Sequence, residues 1–455
     1  MNSKSIYTIT IAFTAAIGGF LLGFDGSVIS GAAPFYKTFF HLNDSSFLFG
    51  FSVSCIIWGS VFGNLFAGKL SDRFGRKPVL ILSALLFLIS SLITALAGDI
   101  TVFIIGRIMA GFAVGIAILL APVYIAEISP PGQRGWLVSF NQLLIVIGLS
   151  AAYFSNYVIL NVVHDPLLNW RWMLGIEAFP SIVYFLLLFF IPESPRWLMM
   201  KNKDKKAIHI LSLIGGPAHS VKEYEEIKGS LAHHKSTTIV VQAREFFSSK
   251  MRLILIIGFG LAIFQQLSGI NAVLYYAPMI FESAGGGRGS AFIQAVVLGI
   301  VFMVMTIGSM FFIDRLGRRP LLFTGVGIMA VSLLLTGLAF RADVHTNSRL
   351  ILICILGFIA GFSISLGPVM WAIFSEIFPN HLRGFAISAV GVANSMSSFI
   401  VATFFPLQLA RFGSSNTYFI YAGFMFFCLW FIWKYVMETK GKSLEEIENQ
   451  LIRAK

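Results

Sequence analysis

Long apolar runs separated by short polar segments dominate the chain. Most runs are long enough for an α-helix to cross the roughly 30 Å hydrocarbon core of a bilayer. They argue against a transmembrane β-barrel, whose strands alternate polar and apolar residues in shorter segments. The pattern predicts twelve spanning helices, near residues 7–34, 47–68, 78–97, 100–125, 136–160, 172–191, 253–281, 290–313, 321–340, 350–374, 385–409 and 416–436.

Composition agrees with this pattern, because 57% of the 455 residues are hydrophobic and only 12% are charged. Such a chain does not form a water-soluble globule, so we expect an all-α integral membrane protein in a lipid bilayer. The first run carries Asp25 and Gly26 and lacks a small-residue cleavage site. We therefore expect it to be a retained helix and not a signal peptide.

Lysine and arginine are distributed unevenly between the two sides of the predicted membrane. Both termini fall on the richer side, which predicts cytoplasmic termini and a multi-pass protein of the plasma membrane. The net charge of +12 then reflects this bias and contact with anionic lipid, and it does not indicate nucleic-acid binding. The poorer side carries only Lys37, Arg288, Arg341, Arg349 and Arg411.

Motifs for catalysis or metal binding are not evident. Cys55, Cys354 and Cys428 lie in apolar runs and show neither a disulfide pair nor a metal-ligand spacing. The pair His233-His234 stands among lysines and serines, so we expect a solvated loop there. Neither a phosphate-binding loop nor a nucleophile–base pair is visible, so we expect no cofactor, no ATP-driven step and no enzymatic activity.

The chain contains an internal repeat. The segment Asp72–Pro78 returns as Asp314–Pro320, 242 residues later, and Ala126–Gly135 returns as Ser375–Gly384, 249 residues later. Each copy follows the equivalent predicted helix, which implies two six-helix bundles in the same orientation. We expect an axis along the membrane normal to relate them, with a substrate site at the midplane between them.

This organisation divides the chain into four predicted parts. An N-terminal bundle is followed by a polar linker with short intracellular helices, a C-terminal bundle and a cytoplasmic tail helix. The alternative for the linker is a flexible tether. The boundaries are 1–192, 193–252, 253–436 and 437–455.

The repeated cytoplasmic turns carry acids as well as bases. Arginine and lysine there are explained by the positive-inside bias alone, but the matched acids are not. We therefore favour a latch of ion pairs that holds one conformation shut on the inside. The predicted latch residues are Asp72, Arg73, Arg76, Glu127, Arg134, Glu193, Arg196, Asp314, Arg315, Arg318, Glu376, Arg383 and Glu438.

Three amides interrupt the apolar run from 253 to 281, namely Gln265, Gln266 and Asn271. Amides at membrane depth are costly unless something hydrogen-bonds them. They carry no charge and both donate and accept, which suits a neutral polyhydroxyl ligand. The alternative is hydrogen bonding between helices, which membrane bundles also use. Gly269 is expected to bend the helix and to bring the polar stripes to one cavity.

Asp25 and Arg107 are the ionisable residues that stand well inside apolar runs of the first half. A lone ionised carboxylate at that depth is costly, and a nearby arginine offsets the cost. Such a carboxylate can take and release a proton as its surroundings change. The alternative is a static structural ion pair.

With these features the chain resembles the sugar porters of the major facilitator superfamily over about residues 10–442. The matching features are short motifs that occur in the same order along both halves. They are Gly18-Gly19-Phe20-Leu21-Leu22-Gly23-Phe24-Asp25, Gly68–Lys77, Arg107, Pro192-Glu193-Ser194-Pro195-Arg196, Gln265–Asn271 and Glu438-Thr439-Lys440-Gly441.

The resemblance implies roles for individual residues. In proton-coupled sugar porters, residues matching Asp25 and Arg107 are implicated in coupling, whereas facilitators commonly have a neutral residue at the position of Asp25. Sugar contacts are implied for the amides above and for three further residues, and matching tyrosines close over the sugar. These residues are Gln142, Trp371 and Asn394 for the sugar, and Tyr275 and Tyr276 for the gate.

Three positions of the predicted sugar pocket depart from related sugar porters. Leu149 stands where a proton-coupled xylose carrier has glutamine, Phe302 where an asparagine is usual, and Ser395 where tryptophan is frequent. They leave the identity of the sugar open. For Trp371 the alternative to a sugar contact is simple packing near the hinge predicted at Gly367-Pro368.

The sequence therefore predicts a proton-coupled symporter of a hexose or pentose that functions as a monomer. Its expected partners are the sugar, protons and the bilayer. An uncoupled facilitator is the nearest alternative. A transporter-like sugar sensor is less favoured because such sensors need a long output segment, and only Glu438–Lys455 follow the last helix.

Overall fold

The computed structural model describes residues 3–43, 46–130, 132–232, 239–248, 251–342, 348–379, 381–442 and 446. The side chains at 3–5, 217–219, 231–232, 239–242, 310 and 314 lie outside this description, as do His233-His234 and most of the predicted tail helix. The described residues form α-helices and contain no β-strand, which confirms the all-α prediction.

The helices are numbered in chain order. They are α1 Ser3–Phe39, α2 Phe47–Phe74, α3 Arg76–Leu96, α4 Ile100–Ile128, α5 Arg134–Val162, α6 Pro166–Gly175, α7 Ala178–Leu188, α8 Pro195–Met200, α9 Asp204–Gly215, α10 Pro217–Ala232, α11 Ile239–Phe246, α12 Arg252–Leu267, α13 Ile270–Ser283, α14 Arg288–Leu316, α15 Arg318–Arg341, α16 Ser348–Ile364, α17 Pro368–Ile377 and α18 Arg383–Tyr435.

Eleven helical segments of the described chain are long and apolar enough to cross a membrane. The last of them, α18, has 53 residues and would extend for about 80 Å if it were straight. That is more than twice the hydrocarbon thickness. The helix breaks at Gly413, where φ is +75°, so α18 accounts for the last two of the twelve predicted spans.

Three other spans are built from two helices each. α12 and α13 meet at Gly269, and α16 and α17 meet at Gly367-Pro368, so both predicted bends are confirmed. α6 and α7 are separated at Ile176-Glu177. α6 begins at Pro166, earlier than predicted, because the Asp165 carboxylate accepts a hydrogen bond from Leu167 N and proline is favourable in the first turn.

The chain forms two compact units. Unit 1 comprises Met1–Tyr36 and Cys55–Ser236, and unit 2 comprises Lys37–Ser54 and Thr237–Lys455. In unit 2, α15 packs against α16 and α18, and α12 packs against α18.

The polar segment between the long helices holds the four short helices α8 to α11. In unit 1, Trp197 of α8 and Ala207 and Ile210 of α9 belong to the same buried cluster as core residues of the long helices. The Trp197 indole also donates to Asp72 O at the end of α2. The helices α8 and α9 are therefore packed parts of unit 1.

Equivalent glycines precede α3 and α15. Gly75 has φ +109° and ψ 163°, and Gly317 has φ +90° and ψ 164°. Residues other than glycine rarely adopt this backbone conformation. A Cβ at Gly75 would collide with Glu193 Oε2, and one at Gly317 would lie 2.8 Å from Glu438 Oε2.

We predict that Gly75→Ala and Gly317→Ala each lower the free energy of unfolding by about 1–3 kcal/mol, through backbone strain and displacement of the adjacent carboxylate. Thermal melting of the purified protein in detergent measures the effect. Gly384→Ala is the control, since a Cβ there meets open space. Melting temperatures that stay equal in all three variants would contradict the analysis.

Candidate functional site

The polar residues predicted on α12 and α13 gather with residues of α18 in unit 2. Gln265 and Gln266 lie at the end of α12, Asn271 lies in the first turn of α13, and Asn394 and Ser398 lie one turn apart on α18. All five take part in one hydrogen-bonded group, which we call the amide network.

The contacts within the amide network are short and direct. Gln265 Oε1 accepts from Asn394 Nδ2 at 2.7 Å and from Gln266 Nε2 at 3.1 Å. Gln266 Nε2 also donates to Asn394 Oδ1 at 3.2 Å. Asn271 Nδ2 donates to Gln266 Oε1 at 2.9 Å and to Ser398 Oγ at 2.6 Å. The network joins three helices. Hydrogen bonding between helices, which was the alternative to ligand binding, is therefore part of what these amides do.

The break at Gly269 makes this arrangement possible. Gly269 has φ +84°, in the left-handed region, and the Tyr421 ring lies against it, 3.4 Å from where a Cβ would stand. The left-handed residue changes the direction of the chain between α12 and α13, and Asn271 Nδ2 reaches Gln266 Oε1. An α-helix without this break would place residues five positions apart on different faces.

The amide network also reaches the second helix break of this unit. Gln265 Nε2 donates at 2.8 Å to Leu366 O, which lies in the short turn between α16 and α17. Asn394 Nδ2 donates at 2.9 Å to Ala262 O on α12. Gln265, Gln266 and Asn394 are buried, with 5%, 6% and 9% of their surfaces exposed, and Asn271 is half-buried.

The aromatic residues predicted around the sugar differ in their exposure. Trp371 on α17 is 44% exposed and meets the Phe374 ring edge-on, with centroids 5.7 Å apart. Tyr276 is buried and its hydroxyl donates to Ala402 O at 3.1 Å, whereas Tyr275 is half-buried. For the predicted gate, Tyr275 is therefore the more accessible of the two tyrosines.

The structure also shows the surroundings of four other positions that the sequence analysis named. Gln142 is an exposed residue of α5 in unit 1, and Leu149 is buried on the same helix. In unit 2, Phe302 is half-buried and its ring lies 6.4 Å from the ring of Phe362. Ser395 is half-buried beside the amide network residue Asn394.

Asp25 of α1 and Arg107 of α4 form a buried ion pair in unit 1, in which Arg107 Nη1 donates to Asp25 Oδ1. Glu177, between α6 and α7, is also buried and is close enough to interact electrostatically with both. We call these three residues the acid cluster. It contains two carboxylates and one guanidinium, so it carries one negative charge in excess when both acids are ionised.

Several polar atoms of the acid cluster have no hydrogen-bond partner among the described residues. They are Asp25 Oδ2, Glu177 Oε1, and Nε and Nη2 of Arg107. An unpaired charge in a buried site is costly, and a bound proton would cancel the excess here. Glu177 was not predicted from the sequence. The signal was present, since it is an acid inside an apolar run, as Asp25 is.

The predicted latch residues of the first half form pairs within unit 1. Arg76 donates from Nε and Nη2 to the two oxygens of Glu127 at 3.0 and 3.1 Å, and from Nη1 to Asp72 Oδ1 at 3.0 Å. Glu193 Oε1 accepts from the backbone N–H of Arg76, Lys77 and Ser194 at 2.8–3.2 Å. Glu193 thus binds the exposed donors at the start of α3.

Unit 2 contains a similar arrangement that differs in its details. Arg318 donates from Nε to Glu376 Oε1 at 3.1 Å, and Thr439 Oγ1 donates to Glu376 Oε2 at 2.5 Å. Glu438 Oε1 accepts from the backbone N–H of Arg318, Thr439 and Lys440, and its Oε2 accepts from Arg319 N. Glu438 therefore uses both carboxylate oxygens, whereas the bonds to Glu193 fall on one.

The other predicted latch residues are less closely engaged. Arg134 lies 3.7 Å from Glu223 of α10, and Arg73 stacks against the Phe74 ring. Arg315 is exposed and Arg196 is half-buried, without an ion pair to another described residue. The side chain of Asp314 lies outside the described residues, and Nε and Nη2 of Arg383 are buried without a partner among them.

The two equivalent glutamates differ in their pKa. Burial raises the pKa of Glu193, and its backbone hydrogen bonds offset this only in part. Burial acts in the same direction on Glu438, but four backbone N–H groups outweigh it and lower the pKa of that carboxyl. The charged form of Glu438 is therefore the one that the fold stabilises.

We predict that Glu438→Gln lowers the melting temperature at pH 7.5 more than Glu193→Gln does. A glutamine at either position keeps one oxygen toward the three backbone N–H groups, but at 438 its amino group would in addition face Arg319 N. An unsatisfied donor of this kind costs about 1–3 kcal/mol when buried, and less at this partly exposed position.

The pH dependence provides a further check. Because the pKa of Glu438 is lowered, its stabilising contribution is present above the ordinary glutamate pKa of about 4.3 and is lost as pH falls below it. The difference between wild type and Glu438→Gln should therefore persist from pH 7.5 down to about 4.3 and shrink as pH falls below that value. Equal losses in both variants at pH 7.5 would contradict this account.

Known proteins are similar to the chain over nearly its whole length. A family model described as "Sugar (and other) transporter" matches residues 11–451. An arabinose-proton symporter of Bacillus subtilis (strain 168) is 38% identical over 453 residues, covering 98% of this chain and 96% of the relative. A D-xylose-proton symporter of Escherichia coli (strain K12) is 36% identical, with the same coverage of both chains.

A solved structure gives the same result for the fold. The inward open conformation of the xylose transporter XylE from E. coli matches with a TM-score of 0.85 at 33% sequence identity, over 97% of this chain and 99% of that chain. The fold is therefore that of the major facilitator superfamily. The chain belongs to the sugar transporter family.

Proposed function

We propose that this protein is a secondary active transporter that carries a monosaccharide together with a proton. It is a multi-pass protein of the plasma membrane, and it works by alternating access. Its relatives named above are symporters of protons with arabinose or D-xylose. The sugar of this chain is a hexose or a pentose.

The observation that carries the proposal is the acid cluster of Asp25, Arg107 and Glu177. A facilitator needs no buried ionisable group, whereas a proton-coupled carrier needs one that exchanges a proton during its cycle. All three residues are buried, and the two acids exceed the single base. Proton binding removes this excess charge, so protonation favours one conformational state over the other.

The amide network supplies the chemistry for the sugar in unit 2. Gln265, Gln266, Asn271 and Asn394 are uncharged groups held in fixed orientations at two helix breaks, and they match the needs of a neutral polyhydroxyl ligand. Trp371 is accessible enough to offer its indole face to the apolar side of a sugar ring. Gln142 is a proposed contact from unit 1.

The ion pairs at the ends of the long helices support a latch in each unit. We propose that both termini and these pairs lie on the cytoplasmic side, that Arg76–Glu127 and Arg318–Glu376 stabilise one conformation, and that the protein functions as a monomer without enzymatic activity. The repetition of the same geometry in both units supports a mechanical role, since charge bias alone requires no acids.

We predict that Asp25→Asn abolishes uphill accumulation of sugar in proteoliposomes with an inward proton gradient, while sugar exchange without a gradient persists. The amide cannot exchange a proton, but it keeps the shape of the carboxylate. The ratio of internal to external sugar concentration should fall from well above one to about one. Radiolabelled D-xylose, arabinose and glucose are the probes.

Asp99→Asn is the matched control, because Asp99 is an exposed N-cap of α4 and asparagine also caps helices. Its accumulation ratio should equal that of the wild type. If Asp25→Asn keeps uphill accumulation, the assignment of coupling to Asp25 is wrong. If the wild type itself shows exchange but no accumulation, the protein is an uncoupled facilitator.

A further inference from the structure

The amide network has a fixed polarity that starts at two backbone carbonyl groups. A backbone carbonyl oxygen can only accept hydrogen bonds. Leu366 O and Ala262 O therefore each require an amino group opposite them, and Gln265 Nε2 and Asn394 Nδ2 supply it at 2.8 and 2.9 Å. The amide oxygens of Gln265 and Asn394 must then face the rest of the network.

This polarity passes on to the other two amides. Gln266 faces the oxygens of Gln265 and Asn394, so it turns its amino group toward both and uses both of its protons. Gln266 Oε1 is then left to accept from Asn271 Nδ2. The second amino proton of Asn271 goes to Ser398 Oγ at 2.6 Å.

The network therefore retains mostly acceptors for a ligand. The amino groups of Gln266, Asn271 and Asn394 have no proton left, and Gln265 keeps one. Asn271 Oδ1 accepts no bond from another described residue, and the oxygens of Gln266 and Asn394 each accept only one. Since an amide oxygen can accept two bonds, three acceptors remain against one amide donor.

We propose that this polarity makes the sugar hydroxyls bind the network mainly as donors, and that Ser398 is the positioning residue that holds Asn271 in the accepting orientation. The inference rests on the proposed function and specifies how the sugar is recognised. Ser398 is 5% exposed and lies one helical turn beyond Asn394 on α18. Without the Ser398 hydroxyl oxygen, one amino proton of Asn271 would lose its acceptor. The Asn271 side-chain amide could then rotate and exchange the positions of its oxygen and nitrogen.

The first test uses the wild-type protein and needs no variant. Isothermal titration calorimetry on purified protein gives the Kd for arabinose, D-xylose and D-glucose, and then for the monodeoxy and deoxyfluoro analogues of the tightest binder. Fluorine can accept weakly but cannot donate. Where removal of a hydroxyl weakens binding, we expect the fluoro analogue to lose as much, up to roughly tenfold for each hydrogen bond.

A fluoro analogue that binds better than the matching deoxy analogue would overturn the inference. If fluorine restores the affinity of the parent sugar at the sensitive positions, the hydroxyls there accept and the proposed polarity is wrong. If none of the three parent sugars binds, the proposed function fails, and the inference fails with it. The two failures are thus distinguished by whether the parent sugar binds.

The second test addresses Ser398 directly. We expect Ser398→Ala to weaken binding of the parent sugar by roughly 3- to 10-fold and to improve the fluoro analogue relative to the deoxy analogue, because Asn271 gains a donor. Ser398→Thr keeps the oxygen and should restore the wild-type ratio. Ser397→Ala is the matched control on the adjacent residue. A fluoro-to-deoxy ratio unchanged in Ser398→Ala would overturn the positioning role.

Discussion

A buried polar group in a lipid-embedded protein must find its partner within the chain, because the bilayer core offers no water. This constraint explains the amide network. Two spans of unit 2 are broken, at Gly269 and at Gly367-Pro368, and each break leaves backbone groups outside the helical hydrogen-bond pattern. Gln265 Nε2 donates to Leu366 O in one break, and Asn271 lies in the first turn of the helix after the other.

The same constraint makes the unpaired atoms of the acid cluster energetically costly. Its members are as deeply buried as the amides, yet Asp25, Arg107 and Glu177 leave several polar atoms without partners among the described residues. The amides are neutral and hydrogen-bonded to one another, so they are suited to stay in one arrangement and to bind a ligand at the oxygens that can still accept. The acids are charged and incompletely paired, so they are suited to change state when a proton binds.

Local patterns in the sequence were sufficient to predict much of the fold. The spans follow from apolar length, and the bends at Gly269 and Gly367-Pro368 follow from what glycine and proline do in any helix. The amides Gln265, Gln266 and Asn271 were predicted as a group because each is costly at membrane depth. That they would bond to one another, to Asn394 and to Leu366 O was set by packing between helices, which a single sequence does not display.

Two residues were missed for different physical reasons. Glu177 obeys the rule that identified Asp25, but its partners come from α1 and α4, far away in sequence. Ser398 gave no signal, since serine hydroxyls commonly bond within their own helix, and its role depends on Asn271 lying 2.6 Å away. Among the latch residues, matched acids and bases were visible in the repeat, but the pairing of Arg134 with Glu223 depends on how α10 packs.

The central claim is that the acid cluster, which has one negative charge in excess when both acids are ionised, takes up one proton for each sugar carried. The reversal potential of sugar-driven current in proteoliposomes, measured against imposed sugar and proton gradients, gives this stoichiometry directly. The account predicts a single proton per sugar, because one proton neutralises the cluster of Asp25, Glu177 and Arg107. Sugar flux that carries no current and no proton would contradict it.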